Sequence, residues 1–348
     1  MHIHMNTTQS KDFFFIAEIG VNHNGEIDLA KELVLKAKSC GANAVKFQSF
    51  VSESLASKET AKVPYQEARC AITESHLEML KRLELCFDDQ KELKDFCDNE
   101  EIEFLSTPYD TASTRFLVED IGCKKIKIAS ADLIDWDIHS YLADHKDIEI
   151  LMSTGMSNLS EIEAALSIYD ATKSRQRVKL LHCVSAYPCS DISLNLKCIQ
   201  TLVAAFGQEV GYSDHSPDDM SAVLATSLGV RIFEKHFTLD KNMEGPDHRA
   251  SYTPVEFKRL IKSCQRAADI MGTPRKGCQQ EERDMKRVSR KSIHAGKDIG
   301  IGQEITKEDL TFRRPGTGIS PMDWRYLAGF RATKRISEGE LISWDMVR

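Results

Sequence analysis

The segment EVGYSDHSPDDMSAVLATSLGVRIFEKHFTL, residues 209–239, contains two short apolar runs that each lead to a histidine. The first run leads to His215 and the second to His236, and the residues between them have the apolar spacing of a helix. A strand, a helix and a second strand in this order form one unit of a parallel sheet. Strand ends in such a sheet share one edge, so we expect both histidines there; two unrelated core histidines are the alternative.

The same alternation of strand-like and helix-like segments extends through most of the chain. Eight strand candidates are present, at residues 13–18, 43–48, 102–106, 125–129, 148–152, 178–183, 209–213 and 230–235. Eight such units within about 270 residues predict an α/β fold, a (β/α)8 barrel. A doubly wound open sheet is the competing fold, but it needs no eighth unit. No G-x-G-x-x-G follows the first strand, and the sequence has no Walker A loop.

Two helix boundaries carry recognisable signals. The helix in DLAKELVLKAKSCG ends at Gly41, which is a predicted C-cap. The helix in FDDQKELKDFCDNEE begins at Asp88 or Asp89 as a predicted N-cap. The long connection over residues 49–86 follows the second strand, and such connections often cover a site.

The repeating pattern ends near Gly272, where the sequence becomes polar and highly charged. We therefore expect a barrel domain over residues 1–275, a linker over 276–288 and a compact second domain over 289–348. The second domain is too small to carry a site alone.

Composition excludes several classes of protein. Lys and Arg number 46 against 53 Asp and Glu, a net charge of −7 without long runs of one sign, so nucleic acid and anionic membrane surfaces are not expected partners. No stretch approaches the length of a membrane span. The ten cysteines include no C-x-x-C pair and predict reduced, mostly buried thiols. We expect a cytoplasmic protein.

Polar residues cluster where the predicted strands end, which is where (β/α)8 barrels place their active sites. These residues are Glu18, Lys46, Gln48, Thr107, Lys127, Ser130, Ser153, Ser185, Tyr187, Ser213, His215 and His236. A single lysine in a strand is usually paired or reaches solvent. Two lysines and two histidines at one rim instead predict a binding site, because charges at a barrel mouth are costly unless paired or bound to a ligand.

The residue types indicate the ligands. Lys46 and Lys127 suit a phosphate or carboxylate, with hydroxyl donors from Thr107, Ser130 and Ser153 around it. Neutral imidazoles suit a divalent metal with open coordination positions.

Other histidines have simpler interpretations. His2 and His4 form an H-x-H pair in a polar leader ahead of the first strand, which leaves a metal-hydrolase barrel without its ligand pair. His23 lies in the loop after the first strand, where bracing the loop and contacting substrate are both possible roles.

Nine stretches, in order from residue 17 to residue 320, resemble the sialic-acid-type nonulosonate synthases. They are AEIGVNHNG, AVKFQSF, FLSTPYD, KIKIAS, LMSTGM, LLHCVSAYP, GYSDHS, FEKHFTLDKNMEGPDH and RRPGTGIS. The resemblance implies a TIM barrel followed by a small antifreeze-like (SAF) domain, assembled as a domain-swapped homodimer. It also implies condensation of phosphoenolpyruvate with an open-chain N-acyl amino sugar, giving a nine-carbon 2-keto acid and phosphate.

The resemblance assigns roles to individual positions. Phosphoenolpyruvate contacts fall on Lys46, Thr107, Lys127, Ser130, Ser153 and Ser213. His215 and His236 become ligands of Mn²⁺ or Mg²⁺, which polarises the sugar aldehyde. Sugar-side positions are Glu18, Gln48, Tyr187 and Asp247, and Arg314 corresponds to a residue lent by the partner's small domain. Glu18 would also stabilise positive charge at C2 of phosphoenolpyruvate or act as the base.

Two departures from the family pattern bear on substrate contacts. Ser185 stands where many members have asparagine, and Ala131–Asp132 stands where many have Gly-Glu. In KFQSF, Phe47 and Phe50 flank Gln48 where several N-acetylneuraminate synthases are more polar, which favours a 6-deoxy sugar with a second acetamido group. We therefore expect 2,4-diacetamido-2,4,6-trideoxymannose as substrate and N,N'-diacetyllegionaminate as product. N-acetylneuraminate synthesis from N-acetylmannosamine is the alternative, and a non-catalytic saccharide-binding protein represents a different class.

Overall fold

The computed structural model describes residues 13–55 and 74–348. Eight parallel strands form the first sheet: β1 (Phe14–Gly20), β2 (Ala44–Ser49), β3 (Glu103–Pro108), β4 (Lys125–Ile128), β5 (Glu149–Ser153), β6 (Val178–Cys183), β7 (Val210–Asp214) and β8 (Ile232–His236). All eight predicted strands are present, within two residues of the expected starts. His2 and His4 lie outside the described residues, as does the middle of the long connection after β2.

The sheet closes on itself. Its hydrogen-bonded order is β3-β2-β1-β8-β7-β6-β5-β4, so β1 pairs with both β2 and β8. The two ends of that order, β3 and β4, also lie side by side. A doubly wound sheet has no contact between its first and last strands, so the (β/α)8 barrel is confirmed.

Alternation along the strands divides the side chains into two layers. One set fills the barrel interior with Ile16, Ala44, Leu105, Leu151, Leu181 and Ile232. The opposite set, such as Phe15, Val45 and Phe233, packs outward in the main core. Residues two apart on a strand share one face. The inward-facing set therefore continues towards the carboxyl ends of the strands, where its side chains are polar.

Helices follow the strands around the barrel. They are α1 (Ile27–Cys40), α2 (Ser52–Leu55), α3 (His76–Leu83), α4 (Phe87–Asn99), α5 (Thr111–Arg115), α6 (Trp136–Asp144), α7 (Leu159–Ala171), α8 (Asp191–Leu194), α9 (Cys198–Phe206), α10 (Met220–Ser227) and α11 (Pro254–Met271). None of the helices in the described ranges is long and apolar enough to span a membrane.

The predicted helix boundaries had different outcomes. Gly41 ends α1 in the left-handed conformation, with φ of 96°, and its N–H donates to Ala37 and Lys38 carbonyls, so the C-cap is confirmed. The N-cap predicted at Asp88 or Asp89 is wrong. Cys86 caps α4, because its Sγ accepts the Asp89 N–H at 3.4 Å, and the two aspartates lie in the first turn.

The chain divides into two compact units between Gly272 and Thr273. The second unit contains α12 (Arg283–Ser289), β9 (Ser292–Ala295), β10 (Leu310–Arg313) and α13 (Trp324–Leu327). Strands β9 and β10 pair antiparallel over a small core that includes Ile293, Ile299 and Ile342. The end of the segment expected to be a linker, residues 276–288, is helical and belongs to α12. Its charged, exposed residues include lysine and arginine, which have high helical propensity.

Candidate active site

The carboxyl ends of the barrel strands surround a cavity of about 430 Å³. Thirteen of the fourteen candidate site residues line it: Glu18, Lys46, Gln48, Thr107, Lys127, Ser130, Ser153, Ser185, Tyr187, Ser213, His215, His236 and Asp247. The fourteenth, Arg314, lies in the second unit, where it is exposed and donates Nε to the Ser289 carbonyl at 2.9 Å. The two lysines and two histidines thus meet in one cavity although they are far apart in the chain.

Two lysines and two glutamates form a charge cluster on the floor of this cavity. Lys46 Nζ lies 2.6 Å from Glu18 Oε2 and 3.9 Å from Glu234 Oε2, and it donates to Thr107 Oγ1 at 2.8 Å. Lys127 Nζ lies 3.9 Å from Glu234 Oε1 and donates to a backbone carbonyl at 2.9 Å. All four charged side chains are nearly inaccessible to solvent, so their interactions are weakly screened.

Glu234 is a cavity residue at the end of β8 that was not among the candidate site residues. It accepts the Ser213 hydroxyl at 2.9 Å and faces both lysines. Its position two residues before His236 was the available signal, because that spacing places both side chains on the same face of a strand.

The two glutamates differ in protonation. Desolvation, opposed by Lys46 and reinforced by Glu234, raises the pKa of Glu18 to about 7. For Glu234, desolvation is outweighed by Lys127 and Lys46, so the pKa of this carboxyl is lowered. Desolvation also lowers the pKa of Lys127 against the attraction of Glu234. The cluster therefore holds one fixed anion and one carboxyl that exchanges its proton near neutral pH, which leaves positive charge for an anionic ligand.

Hydroxyl groups surround the cluster. Ser130 Oγ accepts the Gly155 N–H at 3.0 Å, and its hydroxyl also hydrogen-bonds with the Cys183 thiol. Within the described ranges, the buried Ser153 Oγ has no hydrogen-bond partner. Buried hydroxyls normally have a hydrogen-bond partner, so the Ser153 hydroxyl is suited to donate a hydrogen bond to a bound ligand.

The two histidines face each other across the cavity. Their ring centroids lie 5.6 Å apart, and the ring of Tyr187 lies 4.1 Å from His215. His215 Nδ1 is 2.8 Å from the Val184 carbonyl, so it carries the proton and leaves Nε2 as a lone pair. Desolvation and the positive charges around it hold the pKa of His236 well below its usual range.

These histidines fit a divalent ion. His236 Nδ1 is shielded from solvent and makes no hydrogen bond within the part of the chain that the structure describes. That part contains no group of three or more His, Cys, Asp or Glu side chains around one metal position. An ion held here would thus have two protein ligands, and water or substrate would fill its remaining positions.

Cys183 lies against the same imidazole, with Sγ 3.7 Å from His215 Nδ1. Desolvation alone would raise the pKa of this thiol, but the adjacent His215 lowers it to about 7. The same contact raises the pKa of His215 against its own desolvation. Because a metal ion and a proton compete for the His215 imidazole, the affinity of His215 for a metal ion would fall at low pH.

The residues that depart from the family pattern also line the cavity. Ser185 Oγ and Ser130 Oγ lie so close to Gly155 that a Cβ there would meet them at 2.5 and 2.7 Å. Desolvation, reinforced by Asp135, raises the pKa of Asp132 to about 7. Asp132 Oδ2 has no hydrogen-bond partner in the ranges described, so this shorter carboxyl is available to a ligand.

One wall of the cavity is apolar. It consists of Val21, Phe50, Leu55, Met79, Leu80, Leu83 and Tyr109, of which five form a separate buried cluster. Phe50 was expected there. Phe47 was also expected there, and that prediction is wrong: its ring stacks on Phe104 at 5.5 Å in the outer core, because neighbouring strand residues point to opposite faces.

Comparison with known proteins agrees with this arrangement. The NeuB family model matches residues 33–276, and the SAF domain model matches residues 290–348. The chain is 41% identical to the N,N'-diacetyllegionaminic acid synthase of Campylobacter jejuni over 95% of this chain and 99% of that protein. It is 39% identical to the protein of the same name from Legionella pneumophila, over 96% of this chain and 94% of that protein.

A solved structure gives the same result. The N-acetylneuraminic acid (sialic acid) synthetase of Leptospira borgpetersenii, crystallised with citrate, superposes with a TM-score of 0.70 at 34% identity. The match covers 79% of this chain and 90% of that chain. The barrel, its polar mouth and these similarities lead to one conclusion: the chain belongs to the NeuB family and carries a C-terminal SAF domain.

Proposed function

We propose that this protein condenses phosphoenolpyruvate with an open-chain N-acyl amino sugar to give a nine-carbon 2-keto sugar acid and phosphate. The observation that carries the proposal is the meeting of a lysine pair and a histidine pair in one cavity. Phosphoenolpyruvate is a small polyanion and the sugar aldehyde is an electrophile, so the reaction requires both kinds of group side by side.

Lys46 and Lys127 are suited to the phosphate and carboxylate of phosphoenolpyruvate. Both ammonium groups are desolvated, which strengthens their attraction for an anion. The Ser153 hydroxyl, which has no partner in the described ranges, supplies a donor, and the Ser130 hydroxyl lines the same cavity. Binding between these groups would orient C3 of phosphoenolpyruvate towards the sugar, and such orientation supplies much of the rate enhancement in reactions of two bound molecules.

His215 and His236 would hold Mn²⁺ or Mg²⁺. When bound, such an ion supplies Lewis-acid polarisation of the sugar's C1 aldehyde. The chain itself fixes the orientation of the His215 ring through the bond from Nδ1 to the Val184 carbonyl, and it shields His236 Nδ1 from solvent.

Glu18 is placed to move a proton. In the reaction, C3 of phosphoenolpyruvate bonds to the aldehyde carbon, water adds at C2, and the C2–O bond to phosphate breaks. The carboxylate form of Glu18 would stabilise positive charge at C2 or accept the proton of the incoming water. A pKa of about 7 makes both forms accessible at neutral pH.

Isotope labelling tests this route. In H₂¹⁸O, rapid-quench mass spectrometry should find no label in the released phosphate, because the bridging oxygen leaves with phosphorus. Label in phosphate would contradict water addition at C2. Phosphate release that depends on the sugar and stops with a chelator would separate an enzyme from a saccharide-binding protein.

The favoured sugar is 2,4-diacetamido-2,4,6-trideoxymannose, which gives N,N'-diacetyllegionaminate. The names of the two relatives support this substrate, and the apolar wall offers a surface for its methyl and second acetamido groups. One methylene in an apolar pocket changes kcat/KM by roughly 10- to 200-fold. We expect kcat/KM for this sugar to exceed that for N-acetylmannosamine by about that factor. The opposite order would support N-acetylneuraminate synthesis.

The proposed active assembly is a domain-swapped homodimer. In it, the second unit of one protomer would bring Arg314 to the partner's sugar site. This proposal depends on the family resemblance and on the exposure of the Arg314 guanidinium, whose Nε donates to the Ser289 carbonyl.

A further inference from the structure

A buried ion pair lies directly behind the two histidines. Asp214 precedes His215, Lys235 precedes His236, and the two are register partners in the ladder between β7 and β8. Their side chains are each about 1% exposed. They point away from the cavity into the layer between sheet and helices, because Ser213 and Glu234 before them point inward.

The pair holds the turn that carries His215. Asp214 Oδ2 accepts from Lys235 Nζ at 2.9 Å, and Asp214 Oδ1 accepts the Ser216 N–H at 2.8 Å. Lys235 Nζ also donates to the Ser216 carbonyl at 2.6 Å. The N–H and the carbonyl of Ser216 are therefore both bound to the pair. His215 lies in the chain between Asp214, which belongs to the pair, and Ser216, which the pair holds in place.

The same pair is linked to the other histidine through Tyr252. The Tyr252 N–H donates to the His236 carbonyl at 2.7 Å. Its ring covers Lys235 Nζ at 4.3 Å from the centroid. Displacing the ammonium would therefore disturb the residue that fixes the backbone of His236.

We propose that Asp214 and Lys235 are positioning residues, which set the separation and orientation of His215 and His236. An apolar pair of similar volume would pack between sheet and helices without the desolvation penalty of two charges. Such a pair offers no directional bonds to the Ser216 backbone, whereas the ion pair supplies two, one to its N–H and one to its carbonyl. The functional part of this inference depends on the proposed role of the two histidines as metal ligands.

The test compares a charge-removing single variant with a charge-neutral double variant. Asp214→Asn leaves a buried ammonium without its counter-ion, whereas the combined change Asp214→Leu and Lys235→Met removes both charges and is expected to fold. Mn²⁺ binding, followed by the electron paramagnetic resonance signal of the free ion, should weaken about 10- to 100-fold in the double variant.

Lys125→Met is the matched control. Lys125 pairs with Glu103 and Glu149 at the amino end of the strands, so its loss should lower thermal stability and leave the Mn²⁺ dissociation constant unchanged. An unchanged dissociation constant in the folded double variant would overturn the positioning role.

A second measurement does not depend on metal. If the wild-type chain bound neither Mn²⁺ nor Mg²⁺, the metal proposal would fail, and a crystal structure of the double variant would decide the positioning role. We expect the ring-centroid separation of His215 and His236 to depart from 5.6 Å in that structure. Rings found in unchanged positions would refute the inference.

Discussion

Glu18 is a carboxyl group whose protonation depends on its surroundings more than on its nearest partner. Lys46 Nζ lies 2.6 Å from it, an arrangement that by itself favours the carboxylate. Desolvation at the bottom of the cavity and the neighbouring Glu234 nevertheless raise the pKa of Glu18 to about 7. With this pKa, Glu18 can both accept and release a proton near neutral pH.

Glu18→Gln should lower kcat by about 10²- to 10⁴-fold, the usual contribution of a positioned acid or base. In the wild type, kcat should fall as the pH drops below about 7, because the protonated carboxyl accepts no proton. That acidic limb should vanish in the variant. Steady-state rates from pH 5 to 9 measure both effects.

Glu103→Gln is the control for this prediction. Glu103 lies at the amino end of β3 and pairs with Lys125, away from the cavity, so its loss should leave the pH profile unchanged. Retention of the acidic limb in Glu18→Gln would show that another group controls it.

At the scale of elements, the barrel interior is packed tightly enough that one strand position requires glycine. A Cβ on Gly211 in β7 would meet Leu181 Cδ2 at 2.5 Å and the Ile232 carbonyl oxygen at 2.8 Å. The second contact is to backbone of the neighbouring strand, which has little freedom to move. This position therefore accepts no larger residue without a shift of the sheet.

Gly211→Ala should destabilise the protein by about 1–3 kcal/mol, the usual cost of overpacking a core. Gly277→Ala is the control, because a Cβ there meets no atom within 4 Å. Its effect should lie between neutral and slightly stabilising. Urea unfolding measures both, and equal stability of the two variants would contradict the packing argument.

The loop between β1 and α1 makes the protein sensitive to acid. His23 is buried in this loop, its Nδ1 accepts the Gly25 N–H at 3.0 Å, and desolvation, reinforced by His248, lowers its pKa to about 4. The unfolded chain binds a proton near pH 6.5. The stability supplied by neutral His23 is thus present above pH 6.5 and is lost as the pH falls towards 4.

This difference of about 2.5 pKa units corresponds to roughly 3 kcal/mol of unfolding free energy. His23→Gln should reduce the loss of stability between pH 7 and pH 4 by up to that amount. At pH 8 His23 is neutral in both the folded and the unfolded chain. The difference in unfolding free energy between the two proteins at pH 8 therefore measures the packing lost in the variant, and it is subtracted. An identical pH dependence in both proteins would show that His23 is already protonated or exposed.

At the scale of the whole molecule, the second unit has its own core, and Arg314 is its one candidate substrate-binding residue. If Arg314 serves the partner's site, Arg314→Ala should raise KM for the sugar by about tenfold or more, the value of a hydrogen bond to a charged group. KM for phosphoenolpyruvate should change little. Arg313→Ala, an exposed neighbour, is the control.

Two outcomes would contradict the domain-swapped assignment. One is an equal rise in both KM values, which would indicate a general loss of structure. The other is full activity at concentrations where sedimentation shows only monomer, because the assignment requires two chains at each site.

The sequence by itself determined the eight-strand order of elements, the Gly41 cap and twelve residues of the cavity rim, and the family resemblance added Asp247. Apolar spacing and a cap are local properties, and the carboxyl ends of parallel strands meet at one edge in any barrel. Only the tertiary structure showed that Phe47 faces outward, that Cys86 caps α4 and that Glu234 joins the lysines. These features depend on which side chains meet across strands distant in the chain, and on desolvation at the place of meeting, neither of which a local pattern contains.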